Sequence, residues 1–176
     1  MSGTRKCVFF DRDGIVNRSP GPGYVERWED FELLPEFVDV LRRVTDRGYA
    51  AVIVTNQRGV ARGIIGRETV EDMHAKLRAL LSHAHGLELL DILYCPHEVG
   101  ACECRKPRPG MLLEAARRHG LDLAASWMIG DQETDVETGR NAGCRTVRVA
   151  PEGTGTKADC RVRDLHELAV RIPELL

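Results

Sequence analysis

The chain is 176 residues long, enough for one well-buried domain and too few for two full-sized ones. With 43% hydrophobic residues, 30% charged residues and a formal net charge of -2, it has a globular balance and no long-range pull toward nucleic acid or anionic membrane. No apolar run is long enough to span a bilayer, and the opening MSGTRKCVFFDRDG lacks a signal peptide's apolar core and cleavage site, so a cytoplasmic location is expected.

The first β-rich run, KCVFF (6–10), ends abruptly at charge. PEFVDVLRRVTDRG reads as a helix, with apolar residues at Phe37, Val40, Leu41 and Val44 and Gly48 as its stop. AAVIV (50–54) is continuously apolar and β-branched, as in a strand buried on both faces. Val70, Met73, Leu77, Leu80, Leu81 and Ala84 mark the inner stripe of a longer helix, with Thr69 and Asp72 resembling a capping box at its start. DILYC (91–95) is a short strand, and Pro109 suits the first turn of a helix that runs to about His119 and stops at Gly120. SWMI (126–129) is a strand, TDVETGRNAG a helix stopped by Gly143, and RTVRV (145–149) a further strand. PEGTGTKAD is a loop, and DLHELAVRI closes the chain as an amphipathic helix. Strand–helix alternation predicts an α/β fold, one doubly wound parallel sheet in a single domain over 1–176. Two long irregular stretches, 11–35 and 95–108, are of a length usually kept for function.

Charged and polar landmarks follow the strand ends, where a parallel sheet opens a ligand crevice. Asp11 and Asp13 follow the first strand; at strand spacing both carboxylates face one side, and Gly14 lets the chain turn away. One such carboxylate can attack phosphorus and the other can protonate a leaving oxygen, although an Asp-rich surface turn has the same composition. A calcium loop would need a third ligand before its glycine. Asp131, from another strand end, joins Asp11 as a set of hard oxygens suited to magnesium. Asp135, one helical turn on, either holds a metal-bound water or orients its neighbour, or is a plain first-turn acid favoured by the dipole. Thr55 and Asn56 end the second strand, positioned to grip phosphoryl oxygens or simply to end it in polar residues, and Lys106 would neutralise charge on the same oxygens.

CPHEVGACECRKP sets Cys95, His97, Cys102 and Cys104 as C-x-H…C-x-C, three thiolates and an imidazole suited to a closed structural zinc site. A disulfide between Cys102 and Cys104 is the alternative, disfavoured by its small ring. Zinc would pin the loop at 95–108 and deliver Arg105 and Lys106 to a phosphate. Cys7, Cys144 and Cys160 read as small buried hydrophobes.

DRDGIVN, VTNQRGVARG, CRKPRPGM and IGDQETD resemble, in order, the four motifs of the haloacid-dehalogenase superfamily of phosphohydrolases. Within it the chain is most similar to the sugar-bisphosphate phosphatases, with the histidinol-phosphate phosphatases next. The resemblance implies Asp11 as nucleophile, Asp13 as general acid/base, and magnesium on Asp11, the Asp13 backbone carbonyl and Asp131. It implies Thr55 and Lys106 as stabilisers of the phosphoryl group, and the same C-x-H…C-x-C zinc arrangement occurs in the family. Substrate contacts are expected from Gly21, Pro22, Gly23, Tyr24, Asn56, Gln57, Arg58, Arg62 and Arg105, although SPGPGY is slightly longer than the family's usual loop. The longest insertion is too short for a separate cap domain.

Arg58, Arg62 and Arg105, with Arg18 in the first long loop, favour a second phosphate over the cationic histidinol phosphate, unless each is merely a solvated surface arginine. A polynucleotide 3′-phosphatase should show a basic groove, and a non-catalytic zinc-binding module leaves Asp11, Asp13, Lys106 and Asp131 unexplained. A monomer without nucleic-acid or membrane partners is expected.

Overall fold

The structure, a computed structural model, describes residues 4–176. Met1 to Gly3, the head of the segment read as lacking a signal sequence, lie outside the described residues. Six parallel strands are present among the described residues: β1 (Cys7–Phe10), β2 (Ala50–Asn56), β3 (Asp91–Cys95), β4 (Trp127–Gly130), β5 (Arg145–Val149) and β6 (Cys160–Val162). They lie in the order β3-β2-β1-β4-β5-β6, so the chain reverses its direction of winding at β1. Crossovers are made by helices α1 (Pro35–Asp46), α2 (Arg67–His85), α3 (Gly110–His119) and α4 (Glu133–Ala142), and α5 (Leu165–Leu175) closes the chain. The expected doubly wound parallel sheet is present.

Alternation along the strands assigns the two core layers. Val8 and Phe10 of β1, with Ala51 and Ile53 of β2, face one layer; Cys7, Phe9, Val52 and Val54 face the other. The first layer takes the apolar stripes of α1, α2 and α5, including Phe37, Met73, Leu77 and Leu168. Phe10 meets Phe37 edge-on, with centroids 5.2 Å apart. The second layer is covered by Met111, Leu112 and Ala115 of α3. Burying each large apolar side chain contributes roughly 1.5–3 kcal/mol, so a β1 buried on both faces is an anchored platform for whatever follows Phe10.

β2 extends two residues past the apolar run 50–54, so Thr55 and Asn56 end it as expected. Several other local expectations are corrected. The capping box expected from Thr69 and Asp72 does not form; α2 starts two residues before Thr69, with Gly66 as N-cap and no side-chain cap bond. Ala84 is exposed and Leu80 half-buried, while His74 occupies the buried stripe. A capping box does occur at α4, between Gln132 and Asp135. Pro109 precedes α3 instead of starting it, and Cys160 is only half-buried. The three-residue edge strand β6 was missed because Val162 is its only fully buried residue, too little pattern to read.

Candidate active site

Asp11 follows β1 directly, and its backbone N–H donates to the Ile129 carbonyl of β4 at 3.0 Å, extending the ladder by one bond. Its side chain is buried, with Oδ1 accepting from Lys106 Nζ at 2.7 Å and from the Arg12 backbone N–H at 2.8 Å. Lys106, 3% exposed at its side chain, gives its other ammonium hydrogens to Asp135 Oδ1 at 2.6 Å and the Val54 carbonyl at 3.1 Å. All three donors are therefore satisfied, the condition for a buried ammonium. Asn56 clasps the same residue by its backbone, Nδ2 donating to Lys106 O at 3.2 Å and Oδ1 accepting from Lys106 N at 3.1 Å.

The electrostatics follow from this crowding. Burial, then the Asp135 carboxylate, pushes Asp11 up to about 7, with Lys106 opposing. Burial pulls Lys106 down, but Asp11 and Asp135 outweigh it and hold the ammonium above its ordinary range. Asp131 is raised by burial and then by Asp11. Its Oδ1 is buried without a hydrogen-bond partner among the described residues. Carboxylate oxygens of Asp11, Asp131 and Asp135 lie within 4.8 Å of one another. An orphaned buried oxygen beside a second acid that burial disfavours is what a hard divalent cation relieves, so the residues fit magnesium. Asp135 already holds Lys106 and accepts from Gln132 N at 3.0 Å, so it sits behind the other two. Gly14, at φ +92°, turns the loop directly over Asp131, and a Cβ there would collide with that carboxylate.

Asp13 stands on the other flank. Gln57 Nε2 bridges it to Thr55, donating to Asp13 Oδ2 at 3.2 Å and Thr55 Oγ1 at 2.9 Å. Because the Thr55 hydroxyl accepts from Gln57, its own hydrogen remains available to a ligand. Asn17 Nδ2 donates to Asp13 Oδ1 at 2.9 Å, and Arg12 forks onto both oxygens.

β3 delivers Cys95 to the sulfur cluster. Cys95 Sγ lies 3.4 Å from Cys102 Sγ and 3.6 Å from His97 Nδ1, and Cys104 Sγ lies 3.3 Å from both His97 Nδ1 and Cys102 Sγ. A tetrahedron with metal–sulfur bonds of about 2.3 Å has sulfur–sulfur edges of about 3.8 Å, so the four ligands already occupy the right corners and need only spread by tenths of an ångström. The cysteines are free thiols, so the alternative disulfide is not formed. Burial opposes ionisation of Cys102, but hydrogen bonds from Cys104, Cys95 and backbone N–H groups outweigh it and lower this thiol to about 7.

The expected substrate residues divide. In the cluster loop, Glu98 pairs with Arg58 and, at 3.7 Å, with Arg62. Arg105 reaches the His97 carbonyl at 3.4 Å. Tyr24 is half-buried, its ring against Gly59, while Gly21, Pro22 and Gly23 are exposed. Arg18 is on the surface, bound to Glu32 at 2.7 Å, and is not brought into the site. Sequence reasoning missed Arg12 and His74. His74 lies on the stripe that includes Val70, Met73 and Leu77, so its burial was readable from spacing; Arg12, between two acids at a strand end, gave no such signal.

A family model described as HAD-hydrolase-like, that is, haloacid-dehalogenase-like, matches residues 103–170. The D-glycero-beta-D-manno-heptose-1,7-bisphosphate 7-phosphatase of Pseudomonas aeruginosa is 35% identical over 147 residues, covering 83% of this chain and 82% of that protein. The chain belongs to the haloacid-dehalogenase-like hydrolases. Another relative among these hydrolases is the D-glycero-alpha-D-manno-heptose-1,7-bisphosphate 7-phosphatase of Mycobacterium bovis, 34% identical over 178 residues and covering 97% of this chain and 93% of that protein. The crystal structure of D,D-heptose 1,7-bisphosphate phosphatase from B. bronchiseptica, complexed with magnesium and phosphate, aligns with a TM-score of 0.85 at 30% identity. That alignment covers 97% of this chain and 99% of the other, so the haloacid-dehalogenase-like fold extends over nearly all of it.

Proposed function

We propose that this chain is a magnesium-dependent phosphatase that removes the C7 phosphate of D-glycero-D-manno-heptose 1,7-bisphosphate through an aspartyl-phosphate on Asp11. The carrying observation is the buried Lys106 ammonium held between Asp11 and Asp135, beside an Asp131 oxygen without a donor among the described residues. In this reading the Asp11 carboxylate attacks phosphorus while the bond to the sugar oxygen breaks, and Asp13 gives that oxygen a proton. Asp13 then takes a proton from water, which attacks the acyl phosphate and frees Asp11. Thr55 donates its spare hydrogen to a phosphoryl oxygen, and Lys106 balances the charge there. Asp11, Asp131 and the Asp13 carbonyl would hold magnesium, whose charge offsets that of the phosphoryl oxygens.

Zinc on Cys95, His97, Cys102 and Cys104 would be structural, fixing the loop that carries Arg105 and Lys106. Arg58, Arg62 and Arg105 support a substrate with a second phosphate, to which the Gly21–Tyr24 loop would also contribute contacts; Asn56 would act through Lys106 and Gln57 through Thr55 and Asp13. One sheet running from β1 to β6 supports a single domain. Among the described residues no helix is long and apolar enough to cross a membrane. We place the protein as a monomer in the cytoplasm, acting in nucleotide-heptose supply for lipopolysaccharide; of this reading, the relatives' names support the heptose bisphosphate substrate.

The test is phosphate release with magnesium from both anomers of the heptose bisphosphate, from histidinol phosphate and from a 3′-phosphorylated oligonucleotide. A heptose bisphosphate should exceed the others in kcat/KM by about tenfold or more. Faster turnover of histidinol phosphate would replace the substrate, and no release from any compound would remove the phosphatase reading.

A further inference from the structure

Arg12 is the largest fully enclosed side chain among the described residues, with 0% exposure. A guanidinium stays charged wherever it is placed, so each of its nitrogens needs an acceptor. Nε and Nη2 fork onto Asp13, at 3.3 Å and 3.0 Å from Oδ1, with Nη2 also 3.2 Å from Oδ2. Nη1 turns the opposite way, to His74 Nε2 at 3.2 Å and the Met73 sulfur at 3.8 Å. Arginine has no lone pair to offer, so the imidazole Nε2 must accept, and a neutral ring then carries its proton on Nδ1. Burial and then the Arg12 charge press the His74 pKa down to about 3, consistent with a ring that stays neutral. Tyr94 meets the ring edge-on at 5.7 Å, holding its plane.

Asp13 belongs to the half-exposed rim of the site, with 25% of its side chain accessible. A carboxyl in that position swings freely unless something fixes its plane. Asn17 and Gln57 each hold one of its oxygens, whereas the Arg12 fork holds both at once and sets the plane. The fork is itself a long, rotatable chain, and its far end is tied to α2 only by Met73 and His74. We propose that His74 is a positioning residue of the reaction: by accepting from Arg12 Nη1 it fixes the guanidinium, which aims the Asp13 carboxyl at the leaving oxygen. The inference rests on Asp13 as the proton donor of the phosphatase reaction above. It extends the working site from the strand ends to the buried stripe of a helix whose other inward residues are apolar.

A histidine that merely fills the core and one that aims a proton donor differ in leaving-group dependence. A sugar alkoxide cannot leave without a proton, whereas p-nitrophenolate needs little help. The experiment compares His74→Leu and His74→Gln in the full chain, on heptose bisphosphate and on p-nitrophenyl phosphate. His74→Leu should lower the ratio of sugar to aryl kcat/KM, which reports phosphoryl transfer to Asp11 and not the hydrolysis both substrates share, about tenfold, a part of the 10²–10⁴ that positioned proton transfer supplies. The Gln carbonyl can accept from Nη1, so His74→Gln should recover most of that ratio. Equal losses on both substrates, or a Gln variant no better than Leu, overturn the proposal. Wild type that releases phosphate from neither compound overturns the phosphatase reading and the inference together. Nitrogen-15 spectra of the wild-type imidazole give a readout independent of variant folding: a proton on Nδ1 and a bare Nε2 are expected, and a protonated Nε2 overturns the inference.

Discussion

At the scale of single residues, Asp11 costs the fold stability when it ionises. Its folded pKa, near 7, lies above the ordinary carboxylate value of 3.8, with burial and Asp135 as the leading causes. A raised folded pKa means that ionising the group costs the fold stability as pH climbs from about 4 through 7. Asparagine removes that charge, while its carbonyl still accepts from Lys106, which retains Asp135 and the Val54 carbonyl. Asp11→Asn should therefore abolish turnover, because an amide does not attack phosphorus, yet in magnesium-free buffer stabilise the fold by about 1–3 kcal/mol. Phosphate release and thermal melting at pH 8 check both halves. Near-normal release would refute the nucleophile; a lower melting temperature would mean that the Lys106–Asp11 attraction outweighs the cost of burying the charge.

At the scale of elements, the cluster loop is the part least able to hold itself. Its backbone runs from Cys95, the last residue of β3, to Gly110 at the start of α3, where a Cβ would strike the Glu103 backbone. Beyond Cys95, the other three ligands gather without an α-helix or strand. Zinc binding in finger peptides is worth on the order of 10–16 kcal/mol, ample to order such a stretch. Selective zinc chelation, with magnesium replenished, should lower turnover at least tenfold while far-UV dichroism keeps its sheet and helix signal; added zinc should restore the rate. Full turnover by a folded, zinc-free protein would contradict this role. The gathering of the loop's four candidate ligands was legible, since three cysteines and a histidine in ten residues have few other uses. Its reach was not: Glu98 meets Arg58 and Arg62 across a gap of forty and thirty-six residues, and such ion pairs carry no period. Helix starts misled for a related reason. Thr69 and Asp72 have cap spacing, but the backbone turns earlier at Gly66, while Gln132 and Asp135 form a box that serves the site as well as the helix.

At the scale of the whole molecule, what was legible is what repeats. The two-residue alternation through Cys7, Val8, Phe9 and Phe10 gave β1 its two core faces, and the placement of Asp11, Thr55 and Asp131 at strand ends followed from the parallel sheet. What did not repeat stayed hidden, above all the polar line from Asp13 through Arg12 to His74 inside the first core layer. That line has a consequence for stability as well as for catalysis. Arg12, Asp13, Arg78 and Tyr94 face the His74 ring, and only Asp13 among the charged groups favours its protonation, against burial and two arginines. The folded pKa of about 3 lies below the ordinary 6.5, so between these values the unfolded chain binds a proton that the native ring refuses. Stability must then fall as pH falls through this window, by up to about 1.4 kcal/mol per pH unit from this one group. Glutamine at position 74 does not titrate, so it removes this term and leaves every other group's contribution in place. Urea unfolding at pH 6 and pH 4 should show wild type losing about 2–3 kcal/mol more than His74→Gln over that interval. Parallel losses in the two proteins would mean that the ring is already charged in the native state, or that it opens to water before the fold gives way.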